Sequence, residues 1–91
     1  MYILGDIGNT ETKVCIVSKK NKILKKITFL SKSINIKQLN SLFKKNKIQL
    51  NKIEKILFCS VVPSTFKIIK KFLSKKIKVN CLEVKNLNLK S

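Results

Sequence analysis

The sequence predicts an α/β domain built on a mixed β-sheet, with elements in the order β-β-β-α-β-α-β and helices on the sheet's faces. Three observations carry that expectation. Five apolar runs have strand length and end at turn-forming residues. Two stretches, Ile36 to Lys45 and Phe66 to Lys76, repeat apolar residues at helical spacing instead. The first three runs follow one another directly, and the last two alternate with the helices, the pattern of a meander joined to crossover units. Right-handed crossovers would set the fourth and fifth strands parallel to the first.

Met1 to Ile7 is nearly continuous in apolar character, as in a strand covered on both faces. Thr12 to Ser18 is similar, with Val14, Cys15, Ile16 and Val17 in succession. Between Ser18 and Ile23, Lys19-Lys20-Asn21-Lys22 has hairpin length, and Asn21 tolerates the positive φ such a turn needs. Ile23 to Leu30 resumes the strand pattern, and Lys25 and Lys26 break its apolar face, as on an edge strand guarded against aggregation.

Ser31 to Ile34 reads as a linker. Asn35 with Gln38 forms a capping-box pattern ahead of Ile36, Leu39, Leu42 and Phe43, one face of an amphipathic helix ending near Lys45. Asn46 to Lys52 reads as a loop. Ile53 to Val62 is a second core strand, stopped by Pro63. Pro63-Ser64-Thr65 suits a helix start, with Ser or Thr as the cap, and Phe66, Ile69, Phe72 and Leu73 mark the buried side. Lys78 to Val84 completes the strands, and the last seven residues show no clear element.

The chain has 91 residues, of which 44% are hydrophobic, a size and composition that suit one small folded domain. No apolar run approaches the roughly 20 residues a membrane-spanning helix needs. No membrane partner is expected, and the first residues lack the pattern of a secretory signal. The net charge is +17, and every basic residue is a lysine. Such a surface suits nucleic acid, an anionic membrane or a polyphosphate ligand. Compositional drift toward Lys, Asn and Ile in an AT-rich genome gives the same count, and the lack of Arg argues against a dedicated reader of bases. The cysteines, Cys15, Cys59 and Cys81, are widely spaced inside apolar runs, as small buried hydrophobes are. With no Cys-x-x-Cys pair and no histidine, a reduced, cytoplasmic setting fits better than a zinc or disulfide role.

The chemistry concentrates in the first turn. Asp6, the single aspartate, lies inside an apolar run where an unpaired carboxylate is costly. Placed at a strand end, it can hold Mg²⁺ through water. Gly8 lets a phosphate approach the backbone, the amides of Asn9 and Thr10 with the Thr10 hydroxyl can donate to phosphate oxygens, and Lys13 can bring a cation to the β- or γ-phosphate. An ordinary hairpin turn with Asp6 in an Asx-type bond is the competing reading. Ser60, before Val61-Val62-Pro63, is either a pocket hydroxyl or a residue that turns the chain into the helix. The lysines between Phe66 and Lys76 are either a phosphate-binding face or a solvated helix surface.

Asp6-Ile7-Gly8-Asn9-Thr10 followed by Lys13 resembles the first phosphate motif of the sugar kinase, actin and heat-shock chaperone superfamily. Its place at the N-terminus, with Cys59-Ser60-Val61-Val62-Pro63 as a second landmark, is similar to type III pantothenate kinases. The resemblance covers essentially the whole chain. It implies a ribonuclease-H-like, actin-type ATPase half-domain over residues 1–91, incomplete, with sheet order 3-2-1-4-5 and the second half-domain absent. It implies transfer of the ATP γ-phosphate to pantothenate, giving 4'-phosphopantothenate in the first step of coenzyme A biosynthesis. The ATP-phosphate site would comprise Asp6, Ile7, Gly8, Asn9, Thr10, Glu11, Thr12 and Lys13, with Asp6 on the Mg²⁺ side. A monovalent cation, potassium or ammonium, a homodimer and a cytoplasmic location are also implied.

The sequence departs from the family pattern in one respect that bears on chemistry. The family's Gly-x-Asp-Arg segment, which carries its catalytic base, has no counterpart here: no aspartate follows Asp6 and no arginine occurs. No catalytic base is therefore assigned, and the adenosine pocket, cation site and dimer helices are expected beyond Ser91. Two other readings compete. One is a basic nucleic-acid-binding or transcription accessory protein, although no aromatic stacking platform is visible. The other is an inactive relic in which part of one sheet face lies open.

Overall fold

A computed structural model of the protein describes residues 1–84. Five strands form one sheet: β1 (Tyr2–Ile7), β2 (Glu11–Val17), β3 (Ile23–Leu30), β4 (Lys55–Ser60) and β5 (Cys81–Glu83). Two helices connect them, α1 (Ile36–Lys45) between β3 and β4, and α2 (Pro63–Lys76) between β4 and β5. The sheet order is β3-β2-β1-β4-β5, as expected. β1 pairs antiparallel with β2 and parallel with β4, β2 pairs antiparallel with β3, and β5 runs parallel to β4. The fourth and fifth strands are shorter than the apolar runs around them, and a single 3-10 turn occupies Leu50–Lys52 within the expected loop. The expected featureless tail, residues 85–91, lies outside the described residues.

The helices do not divide between the two faces of the sheet. Both pack on one face, where Ile3, Ile7, Val14, Ile16, Ile27, Ile56 and Phe58 form a single cluster with Leu39, Phe43, Ile69, Phe72 and Leu73. The Phe43 and Phe72 rings meet edge-on at 5.1 Å and join the helices to each other. The strand order explains the arrangement. Both crossovers, β3 to β4 and β4 to β5, step in the same direction across the sheet, so one handedness puts both helices on one side.

As a result β1 is not covered on both faces. Ile3, Gly5 and Ile7 are buried, while Tyr2 and Leu4 are half-buried and Asp6 is exposed. Gly5 is required by the packing: a Cβ there would stand 2.0 Å from Cε2 of the fully buried Phe58. That contact lets β1 and the Phe58 ring share one layer of the core.

Local signals account for most element ends. Asn21 takes φ 63°, and its N–H donates to the Ser18 carbonyl to close the β2–β3 hairpin. β3 is an edge strand, and its register with β2 shifts at Ile16/Val17, a bulge that with Lys26 discourages further pairing. Lys25 has a different use. It lies on the helix side and donates its Nζ proton to the carbonyl of Asn46, the C-cap of α1, where the helix dipole favours a cation. Asn35 caps the other end, accepting from the Gln38 N–H at 2.8 Å. α1 then closes as a Schellman motif, Ile48 N–H to Phe43 O at 3.1 Å and Lys47 N–H to Lys44 O at 3.0 Å, with Lys47 held at φ 53°.

For α2 the expected Ser or Thr cap is replaced. Val62 is the N-cap and makes no side-chain cap bond; Pro63 occupies the first turn, where its missing N–H costs nothing. Ser60 accepts from the Val62 N–H at 3.0 Å and so turns the chain into the helix. Thr65, one of the two expected caps, is buried and bonds elsewhere.

Candidate phosphate-binding site

The β1–β2 turn lies at the C-terminal edge of the parallel strands, where ligands of open α/β sheets bind. The β4–α2 junction lies beside it, tied in by the Val61 N–H to Ile7 carbonyl bond of 3.0 Å. Two strand ends and a helix start therefore converge around residues 6–13.

The period-two alternation of strands sorts the sequence-predicted residues into two groups. Asp6 and Lys13 are directly opposite across the β1–β2 ladder, so their side chains share the face away from the helices, and both are exposed. No ion pair joins them among the described residues; the ion pairs found there belong to Glu54. Ile7 and Thr12 are likewise opposite and point the other way, into the core. Glu11 is exposed at the start of β2. Asn9 and Thr10 form the exposed bend, and outside the ladders their N–H groups find no partner among the described residues. Two adjacent open donors of this kind suit an anion.

The turn is closed by the Gly8 N–H to Glu11 carbonyl bond of 3.0 Å. Gly8 does not need a positive φ; its lack of a side chain matters because a Cβ would sit 3.1 Å from the Glu11 carbonyl oxygen.

Beneath the turn is a polar network that sequence reasoning missed. Thr12, Ser31 and Thr65 are 0%, 1% and 2% exposed, yet none of their hydroxyls lacks a partner. Ser31 Oγ donates to the Gly8 carbonyl at 2.6 Å, and the Ser31 N–H donates to the Thr10 carbonyl at 2.9 Å. The single hydroxyl proton of Ser31 is thus committed, so Thr12 Oγ1 is the donor in its 2.8 Å contact with Ser31 Oγ. Thr65 Oγ1 in turn donates to the Ser31 carbonyl at 2.7 Å. The hydroxyl of Thr12 is therefore part of the support under the turn. Ser31 carries no motif and lies in the linker after β3; only the fold brings it to the turn.

The thiols behave as small core groups. Cys81 is pushed up to about 11 by burial, partly offset by Lys70. Burial also raises Cys15, against the opposing charges of Lys26 and Lys13. Both stay protonated at neutral pH. Among the described residues no cluster of three His, Cys, Asp or Glu side chains could hold a metal ion, so a cation at Asp6 would need ligands from phosphate and water. No described helix is long and apolar enough to cross a membrane.

The model of the type III pantothenate kinase family matches residues 2–91. The chain is 48% identical over 89 residues to the type III pantothenate kinase of Pelagibacter ubique (strain HTCC1062). That alignment takes in 98% of this chain but 36% of the relative, so the chain spans about a third of the relative's length. A family match over nearly every residue, with a sheet in the order 3-2-1-4-5, leads to one assignment: the chain belongs to the type III pantothenate kinase family.

Proposed function

We propose that residues 1–91 supply the N-terminal, ATP-phosphate-binding part of a kinase that phosphorylates pantothenate to 4'-phosphopantothenate, the entry to coenzyme A biosynthesis. The observation that carries this reading is the β1–β2 turn, whose open amides lie between an exposed carboxylate and an exposed ammonium opposite each other in the ladder.

Each residue has a distinct part. Asp6 fits a hard cation that keeps most of its waters: its carboxylate is exposed and engaged by no lysine among the described residues. Mg²⁺, when bound with ATP, would supply charge neutralisation across the phosphates. The Asn9 and Thr10 N–H groups and the Thr10 hydroxyl donate to phosphate oxygens, and Gly8 keeps the approach clear. Lys13 sets its ammonium near the transferring phosphoryl group, where stabilising developing charge accelerates transfer. Ile7 and Thr12 anchor the loop in the core, and Glu11 ends it with the carbonyl that closes the turn. No residue of this chain is assigned as the catalytic base. Pantothenate as acceptor, the potassium or ammonium ion, the homodimer and the cytoplasmic location rest on the family alone, and no described residue is assigned to them.

The test is to titrate the purified 91-residue chain with ATP, with and without Mg²⁺, and then to add pantothenate. The expected result is Mg²⁺-dependent ATP binding without formation of phosphopantothenate. Phosphopantothenate formation would overturn the view that this chain holds no base. Absence of ATP binding, with tight salt-sensitive nucleic-acid binding indifferent to Asp6→Ala, would favour a nucleic-acid role instead.

A further inference from the structure

We infer that Ser31 is a positioning residue for the phosphate turn and that Thr65 couples the turn to α2, so that ligand at the turn is transmitted to the start of that helix. The inference rests on the proposed phosphate role of the turn.

The geometry is specific. A turn that must present two open N–H groups to an anion has to keep its carbonyls pointing away from that anion. The carbonyls of Gly8 and Thr10 flank those donors. Both are drawn inward by one residue, Ser31, through its hydroxyl at 2.6 Å and its N–H at 2.9 Å. Ser31 thus fixes the Gly8–Asn9 and Thr10–Glu11 peptide units, one on each side of the unit that carries the Thr10 N–H, and the Thr12 hydroxyl completes its coordination.

The second half of the device is the Thr65 bond. Its hydroxyl donates at 2.7 Å to the carbonyl of Ser31, the residue that holds the turn. Thr65 sits in the first turn of α2, after Pro63 and Ser64. Any displacement of the Gly8–Thr10 peptides on phosphate binding is passed through Ser31 to Thr65. Buried polar groups have few alternative partners, so the chain of bonds moves as a unit. A packing role alone would need the shape of Thr65 and not its hydroxyl, which separates the two accounts experimentally.

The experiment uses the full 91-residue chain labelled with nitrogen-15, Mg-ATP as the probe, and three variants, Thr65→Val, Thr65→Ser and Ser31→Ala. In the parent chain, amides of Asn9 to Glu11 and of Ser64 to Phe66 should shift along the same binding curve. Thr65→Ser, which keeps the hydroxyl, should preserve both sets. Thr65→Val, which keeps the shape, should lose the α2 shifts and weaken ATP binding about tenfold, the order expected from one net hydrogen bond. Movement of the α2 amides in Thr65→Val as in the parent, at unchanged affinity, would overturn the inference.

Amide hydrogen exchange without ligand gives an independent arm. Ser31→Ala should speed exchange at Gly8 and residue 31 at least about tenfold more than at the β1 and β4 core amides, because local opening is selectively eased. Uniform acceleration, or none, would count against Ser31 as the residue that holds the turn. If the parent shows no shifts at residues 8–13 with ATP, the phosphate reading fails, while the exchange result still decides whether Ser31 holds the turn.

Discussion

Along β1, Ile3, Gly5 and Ile7 turn toward the helices and are buried, whereas Tyr2, Leu4 and Asp6 turn toward a face that no described helix covers. β2 divides in this way only near the turn: Thr12, Val14 and Ile16 enter the core and Lys13 stays exposed opposite Asp6, but Cys15 and Val17, on the face of Lys13, are buried as well. The difference shows how a six-residue strand serves two purposes without compromise. At the turn end of the hairpin, alternation assigns Ile7 and Thr12 to the core and Asp6 and Lys13 to the ligand, and the turn between β1 and β2 joins the two sets. Substitutions on the covered face should therefore act on stability, and those at Asp6 and Lys13 on phosphate binding.

The largest effects belong to the covered face. Phe58→Ala should cost about 4 kcal/mol, since it removes a fully buried ring against which Gly5 is packed. Gly5→Ala should cost about 2 kcal/mol by overpacking the same site. Combining Gly5→Ala with Phe58→Leu should cost less than the sum of the two single changes, because the smaller side chain vacates the space a Cβ needs. Urea unfolding checks all of these, and strict additivity would mean that the contact does not limit the packing.

A change away from both faces should have the opposite sign. Lys47 holds a left-handed conformation at φ 53° just after the C-cap of α1, so Lys47→Gly should stabilise the fold by about 0.5–1 kcal/mol. Destabilisation in the melting curve would show that the lysine side chain contributes there beyond its backbone.

The smallest effect concerns pH. Glu54 is held below its ordinary value of 4.5, first by the N-terminal ammonium at 3.1 Å and then by Lys19 at 3.1 Å. A carboxylate lowered in the folded state favours folding at neutral pH, and that contribution is lost as pH falls below about 4.5 through the lowered value. Glu54→Gln should flatten part of the acid limb of the melting temperature. Because the pair is exposed, added salt should shrink the difference.

The sequence foretold the order of elements well because the signals are local. Asn21 at the hairpin, Asn35 at the start of α1 and Pro63 at the start of α2 each act over a few residues. The apolar periods placed the strands and helices for the same reason. What stayed hidden depends on residues far apart in the chain. The polar network beneath the turn joins Thr12, Ser31 and Thr65, and a serine in a linker or a threonine in a helix's first turn has no composition signal for such contacts. The Gly5–Phe58 fit and the reach of Lys25 to the end of α1 are hidden likewise. The placement of both helices on one face was available in principle, since it follows from strand order and handedness taken together. For the site, Asp6 and Lys13 were legible through the motif, and the division of the loop into outward and inward residues needed the strand register.

The central claim is that Asp6 serves the ligand and not the fold. The direct measurement is the Mg-ATP affinity of Asp6→Asn set beside its urea stability. We expect binding to fall at least about tenfold, as for loss of a contact to a charged group. Stability should stay within about 0.5 kcal/mol of the parent, because the side chain is exposed and holds no ion pair among the described residues. Unchanged affinity with a large loss of stability would contradict the account.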